Sequence, residues 1–164
     1  MPKDTLKLSD KAFDLFLGSE QDKKRILEMH KAYLDANTKN LDLNLLRKIW
    51  SANPACVWFN GTGYNYYGLD DWAKLWDYFR TRVEIVDPWQ STDVRLIGDG
   101  NMAVVTSERS ATGKWIGSGE APEWTKGRWH SRSTEVFMRE NGEWKCVHVH
   151  ISTKHDGLRH EQRG

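Results

Sequence analysis

Two histidines, His148 and His150, stand near the end of "STEVFMRENGEWKCVHVHIS" (residues 133–152), and one glutamate, Glu135, stands near its start. An imidazole titrates close to neutrality, and a carboxylate facing it fixes its tautomer, so the three groups together could serve as general acid and base at physiological pH. Whether they meet depends on the strands that carry them. Asn141-Gly142 lies between two β-type runs and is a two-residue type I′ turn signal. From that turn Glu140 pairs with Glu143, and regular counting sets Phe137 opposite Cys146, Glu135 opposite His148, Ser133 opposite His150 and Ser131 opposite Ser152 on one face.

That face grades from apolar at the turn to polar at the far end, the pattern of a pocket with a dry floor and a few convergent polar groups. His148, His150 and Glu135 are therefore catalytic candidates, with Ser133 as a binding candidate. The opposite face carries Arg132, Val136, Val147, Val149 and Ile151, which suits an interface, and a homo-oligomer is expected, a dimer ahead of a trimer. Arg132 has two readings: an interface ion pair, or an oxygen-binding group if the face is reversed. A second reading of the Glu–His pairing is a satisfied polar contact between subunits, and a bulge at the turn would exchange the two faces.

The remaining candidates come from earlier in the chain. "SEQDKKRILEMHKAYLDANTKN", from Ser19, opens with a capping-box-like S-x-x-D and places His30 and Tyr33 on the apolar face of a helix, His30 to contact substrate and Tyr33 to handle a proton. The same positions also fit core residues with satisfied polar tips. Asn60 closes a β-type run, "ACVWFN", where it could hold a substrate oxygen or simply begin the turn at Gly61. Tyr64 and Tyr67 are candidate aromatic contacts. Trp76 joins Trp72, Leu75, Phe79 and Val83 on one face of "LDDWAKLWDYFRTRV" and is a candidate wall.

These residues must be positioned by an α+β chain. Helix one is followed by a short second helix, "LDLNLLRKIW", which ends before Pro54, then by the first strand and the third helix. Residues 89–97 and 102–110 flank the turn "GDGN", and the hairpin described above completes a meander of antiparallel strands. Between them, residues 111–128 form a long loop with Trp115 and Trp124, either a lid or a plain surface loop. The expected organisation is an N-terminal extension over 1–18, one domain over 19–153 and a flexible tail over 154–164.

Composition excludes several classes. Lysine and arginine total 24 against 23 acidic residues, so no electrostatic footprint for nucleic acid or an anionic membrane exists. No long apolar run marks a signal peptide or membrane span. Cys56 and Cys146 are isolated, as reduced thiols of a cytoplasmic protein would be. No dinucleotide, P-loop, G-x-S-x-G or H-E-x-x-H motif is present, and H-x-H lacks a third ligand, so neither cofactor nor metal is expected. Nine tryptophans are several times ordinary usage, and rings in that number must line something.

The hairpin, with charged residues on its first strand, an N-G turn, a Trp and a V-H-x-H-x-S ending, resembles the closing hairpin of the SnoaL-like branch of the NTF2-like superfamily. "LDLNLLRKIWSANPACVWFN" is similar to that family's second helix and first strand. The resemblance spans residues 20 to 153 in its order of elements. It implies a cone in which three N-terminal helices pack on a curved, mostly antiparallel sheet around a pocket for small hydrophobic molecules. Two mechanisms of the family are not carried over. Where ketosteroid isomerase has an aspartate base this chain reads Trp58-Phe59-Asn60, and where scytalone dehydratase has a Tyr-Asp pair it reads Thr38-Lys39. The expectation is a cofactor-independent lyase that removes water or a small aldehyde such as formaldehyde from an aromatic substrate. The alternative is a non-catalytic ligand-binding or oligomerisation module, such as the kinase association hub of the same fold.

Overall fold

The computed structural model describes residues 6–8, 15–39 and 41–155. Most of the expected N-terminal extension and of the C-terminal tail therefore lies outside the described residues. Where they are described, both ends join the sheet: Leu15–Phe16 pairs with Ile97–Gly98, and the Lys154 amide donates to the His130 carbonyl at 3.0 Å.

Helix α1 (Glu20–Thr38) begins where Ser19 accepts the Asp22 amide, and it buries Ile26, Met29, His30, Tyr33, Leu34 and Asn37 along a stripe of three- and four-residue steps. Helix α2 (Leu43–Ile49) is capped by Asp42, whose carboxylate accepts the amides of Asn44 and Leu45. Helix α3 (Gly68–Arg80) buries Trp72, Ala73 and Trp76; Val83, expected on it, instead opens a strand. The strands are β1 (Leu6–Leu8), β2 (Leu15–Phe16), β3 (Val57–Phe59), β4 (Asn65–Tyr67), β5 (Val83–Gly98), β6 (Met102–Trp115), β7 (Arg128–Glu140) and β8 (Glu143–Thr153). The expected long loop is shortened because β6 continues to Trp115, and a 3-10 turn at Glu123–Thr125 precedes β7.

Among the described residues the strands form one sheet in the order β1-β5-β6-β7-β8-β3-β4, with β2 also on β5. The central four strands are antiparallel, and three register shifts in β5 against β6 curve the sheet around the helices. Gly98 sits at φ +137°, where an added Cβ would lie 2.2 Å from the Met102 carbonyl oxygen, so the tight turn into β6 admits no side chain.

The Asn141-Gly142 turn has the expected left-handed geometry at both residues, φ 52° and 83°. From it Glu140 pairs with Glu143 and Phe137 with Cys146, as regular counting requires. The register then slips: Val136 pairs with His148, Glu135 with Val149, Thr134 with His150 and Ser133 with Ile151. Val147 is the extra residue of a β-bulge. The cause is visible in the packing. Cys146 and Val149 are both buried in the core, three residues apart, a spacing of opposite parity that a regular strand cannot deliver. One inserted residue reconciles them. The consequence is that Val149 and Ile151 turn inward, while His148 and His150 turn to the outer face.

Five of the nine tryptophans belong to the buried core, and four of them, Trp50, Trp58, Trp72 and Trp76, pack together between helices and sheet. Trp50 lies at its centre, with ring centroids 5.4 Å from Tyr33 and Trp76, 5.5 Å from Trp58 and 5.7 Å from Trp72. Trp50, Trp58 and Trp72 thus line no pocket wall; they pack against one another within the protein, while Trp76 also reaches the wall of a pocket.

Candidate functional site

Alternation along β6 puts Ala103, Val105, Ser107, Arg109 and Ala111 on the inner face, and β7 contributes Ser131, Ser133, Glu135 and Phe137 to the same surface. Helix α1 lies across it. His30 and Glu135, expected in separate roles, meet: His30 Nδ1 is 2.9 Å from both carboxylate oxygens, and both side chains are buried. A carboxylate only accepts, so Nδ1 donates, and the other ring nitrogen, Nε2, lies 2.9 Å from the Ser91 hydroxyl. Ser133 donates to Glu135 at 3.3 Å and lies 3.1 Å from Ser107. The result is a buried polar chain, Ser107–Ser133–Glu135–His30–Ser91, spanning β5, β6, β7 and α1.

One helical turn beyond His30, Tyr33 lies in the wall of a pocket with about 80 Å³ of free volume, or about 640 Å³ with the open space at its mouth. Aromatic walls come from Trp76, Phe79, Trp89, Trp124 and Trp129, aliphatic ones from Leu75, Ile85 and Ile151. Its polar groups are few: Tyr33, Asn37, Asn60, Thr62 and Arg109. Burial pushes the Tyr33 phenol up, opposed by the neighbouring Arg109 guanidinium, so it is a proton donor at neutral pH. Arg109, also buried, is held between two rings, its Cζ 4.4 Å from the centre of Tyr33 and 4.9 Å from that of Trp89.

The expected site is therefore divided. Tyr33, Asn60 and Trp76 line the pocket; His30, Ser133 and Glu135 form the buried chain beneath its polar end. Asn60 serves its turn with the carbonyl oxygen, which accepts from the Thr62 amide and hydroxyl at 2.9 and 2.7 Å, and only its NH2 end remains for a ligand. Tyr64 and Tyr67 are largely exposed and outside the pocket wall, because β4 runs along the sheet edge.

The expected pairing of Glu135 with His148, and of Ser133 with His150, does not form, since the bulge at Val147 turns both rings outward. His148 instead donates from Nδ1 to the Val57 carbonyl at 2.6 Å, and the Phe59 ring contacts both imidazoles. Arg132 is exposed on that outer face, beside Glu108 on β6, and Val149 and Ile151 leave the outer patch for the interior. Among the described residues no three His, Cys, Asp or Glu side chains cluster as metal ligands.

Sequence reasoning missed Arg109, Trp89 and Trp129. A signal for Arg109 existed: it shares parity with Ala103, Val105 and Ala111 in "MAVVTSERSAT", and those small apolar residues mark the inner face.

A SnoaL-like domain model matches residues 26–155. Solved structures similar to this chain include an uncharacterised protein with a cystatin-like fold from Caulobacter vibrioides, at 16% identity, TM-score 0.66 and coverage of 83% of this chain and 92% of that one. An NTF2-like superfamily protein from Salmonella enterica matches at 19% identity and TM-score 0.65, covering 85% of this chain and 96% of the other. A hexachlorocyclohexane dehydrochlorinase matches at 15% identity and TM-score 0.64, with coverages of 82% and 86%. No curated protein matches the sequence.

Proposed function

The chain belongs to the SnoaL-like family of NTF2-like folds, and from that premise we propose that it is a cofactor-independent acid–base lyase. Its substrate is a hydrophobic, aromatic small molecule, from which it releases water or a small aldehyde such as formaldehyde. The observation that carries this reading is the buried His30–Glu135 pair, one helical turn from the Tyr33 phenol at the polar end of a tryptophan-walled pocket. The dehydrochlorinase among the structural neighbours is named for an elimination, so this scaffold is compatible with that reaction class.

In the proposed dehydration, His30 takes a proton from the carbon next to an electron-withdrawing group, and Glu135 stabilises the imidazolium. Tyr33 gives its proton to the departing hydroxyl, which leaves as water while the new double bond forms. Arg109 supplies positive charge for the negative charge that develops on the substrate. For His30 to act, Nε2 must exchange Ser91 for the substrate, so ligand entry opens the inner end of the pocket. The exposed Met102 and Met138, on paired positions of the outer face with Val104 and Val136 between their strands, support a homo-oligomer, a dimer ahead of a trimer.

One observation favours a second reading, a non-catalytic ligand-binding or oligomerisation module: neither His30 nor Glu135 is part of the pocket wall. Incubating the protein with β-hydroxy aryl ketones separates the two. The lyase reading expects the absorbance of a conjugated enone or, with trapping, released formaldehyde. Saturable binding of such compounds with no product from any of them would establish the module instead.

A further inference from the structure

We infer that the pocket takes a ligand bearing a carboxylate, with Arg109 as its counter-ion. The inference names a ligand class for the site proposed above, rests on that reading only for the choice of pocket, and is independent of turnover.

The side chains of His30, Arg109 and Glu135 are buried together at this inner surface. Glu135 is engaged by His30 and Ser133. Among the described residues no carboxylate forms an ion pair with the Arg109 guanidinium, although only 3% of this residue is exposed. A cation removed from water without a counter-ion is retained only if something else compensates it. The ring faces of Tyr33 and Trp89 supply part of that compensation. They accept no hydrogen bond from Nε–H, which is buried without a partner among the described residues. Directly across the β6–β7 pair stands Ser131, completely buried, and its hydroxyl also lacks a partner among the described residues.

Two unmatched polar side chains thus adjoin one another, and one of them, Arg109, is the buried cation on which a largely apolar slot ends. The missing complement is a negatively charged acceptor. A guanidinium presents parallel N–H donors whose spacing matches the two oxygens of a carboxylate. Among the described residues Arg109 is the only lysine or arginine in the pocket wall, so the site matches a monoanion better than a doubly charged phosphate. The small free volume and the surrounding tryptophans fit a single aromatic ring behind the carboxylate.

The test is calorimetric titration of the full chain at pH 7.5 with benzoate, benzamide and benzyl alcohol. Benzoate should bind at least about tenfold more tightly than either neutral analogue. Arg109→Gln should weaken benzoate by about 10- to 100-fold and leave benzyl alcohol within about twofold, while Arg109→Lys, which keeps charge and loses the fork, should fall between. Because Arg109 is buried, far-UV circular dichroism checks each variant, and if Arg109→Gln fails to fold the wild-type preference and Arg109→Lys decide. Benzoate binding no tighter than benzyl alcohol, no benzoate binding at millimolar concentration, or unchanged benzoate affinity in the folded variants would overturn the inference. Benzoate binding without lyase turnover would remove only the lyase reading; turnover of neutral substrates without benzoate preference would remove only this one.

Discussion

Removing His30 should cost the protein far more than the loss of one imidazole's packing. In His30→Ala the Glu135 carboxylate, 1% exposed, keeps the Ser133 hydroxyl at 3.3 Å as its polar contact and loses the partner that meets both of its oxygens. Stranding a buried charge in this way costs about 3–5 kcal/mol. At the sensitivity of a domain of this size, that lowers Tm by roughly 6–20 °C. Glu135→Ala should be milder, about 2–3 kcal/mol, because His30 retains its bond to Ser91 and no carboxylate is left buried. The double variant has no orphaned carboxylate, so it should be destabilised by about 2 kcal/mol less than the sum of the single variants. Urea unfolding of all four proteins at pH 7.5 closes the cycle. Additivity within about 0.5 kcal/mol would show that the two groups do not form the pair on which the site depends.

Other expectations concern different parts of the molecule. Asp22 is held below the usual carboxylate range, chiefly by the Trp144 indole N–H at 2.9 Å and also by Ser19 and Arg139, against the opposing effect of burial. A depressed folded pKa contributes stability that is complete above the unfolded value, about 3.9, and is lost as pH falls through the lower folded value; acid titration of urea midpoints should therefore show a steeper loss below about pH 4 in the wild type than in Asp22→Asn. His150→Ala, on the exposed outer face, should change unfolding free energy by less than about 0.5 kcal/mol and leave ligand affinity unaltered. Trp76→Ala, which removes a core ring and a pocket wall together, should cost about 3–5 kcal/mol by the same unfolding measurement, whereas Tyr67→Ala, 67% exposed, should change benzyl alcohol affinity less than twofold. Any lyase turnover should survive exhaustive chelation with EDTA, and restoration of lost activity by zinc would reverse the acid–base reading.

The sequence carried the elements further than it carried their faces. The Ser19 cap, the helical face that carries His30 and Tyr33 and the Asn141-Gly142 turn are local signals, and all three appear as read. The register of the hairpin was legible only as far as Cys146, because the bulge at Val147 answers to nonlocal packing: Trp58 and Val149 pair across parallel strands, and both are completely buried. No residue in the hairpin itself announces that constraint. Glu135 lies on the inner face, yet its partner comes from α1, 105 residues away, where only tertiary structure brings His30 within 2.9 Å. The pocket itself draws Trp89 from β5, Trp124 from the 3-10 turn and Trp129 from β7, three segments whose convergence no periodicity encodes. Arg109 was within reach of the alternation pattern along β6.

The central claim is that the His30–Glu135 pair moves protons for a ligand held at Tyr33 and Arg109. Steady-state kinetics of Glu135→Gln on a β-hydroxy aryl ketone that the wild type converts test it most directly. The glutamine nearly preserves volume and can still accept from His30, so the variant should fold and bind, with KM within a few-fold of wild type. Loss of the carboxylate removes the charge that stabilises the imidazolium, so kcat should fall by about 10²–10⁴-fold. A folded Glu135→Gln protein that turned over substrate at the wild-type rate would contradict the account.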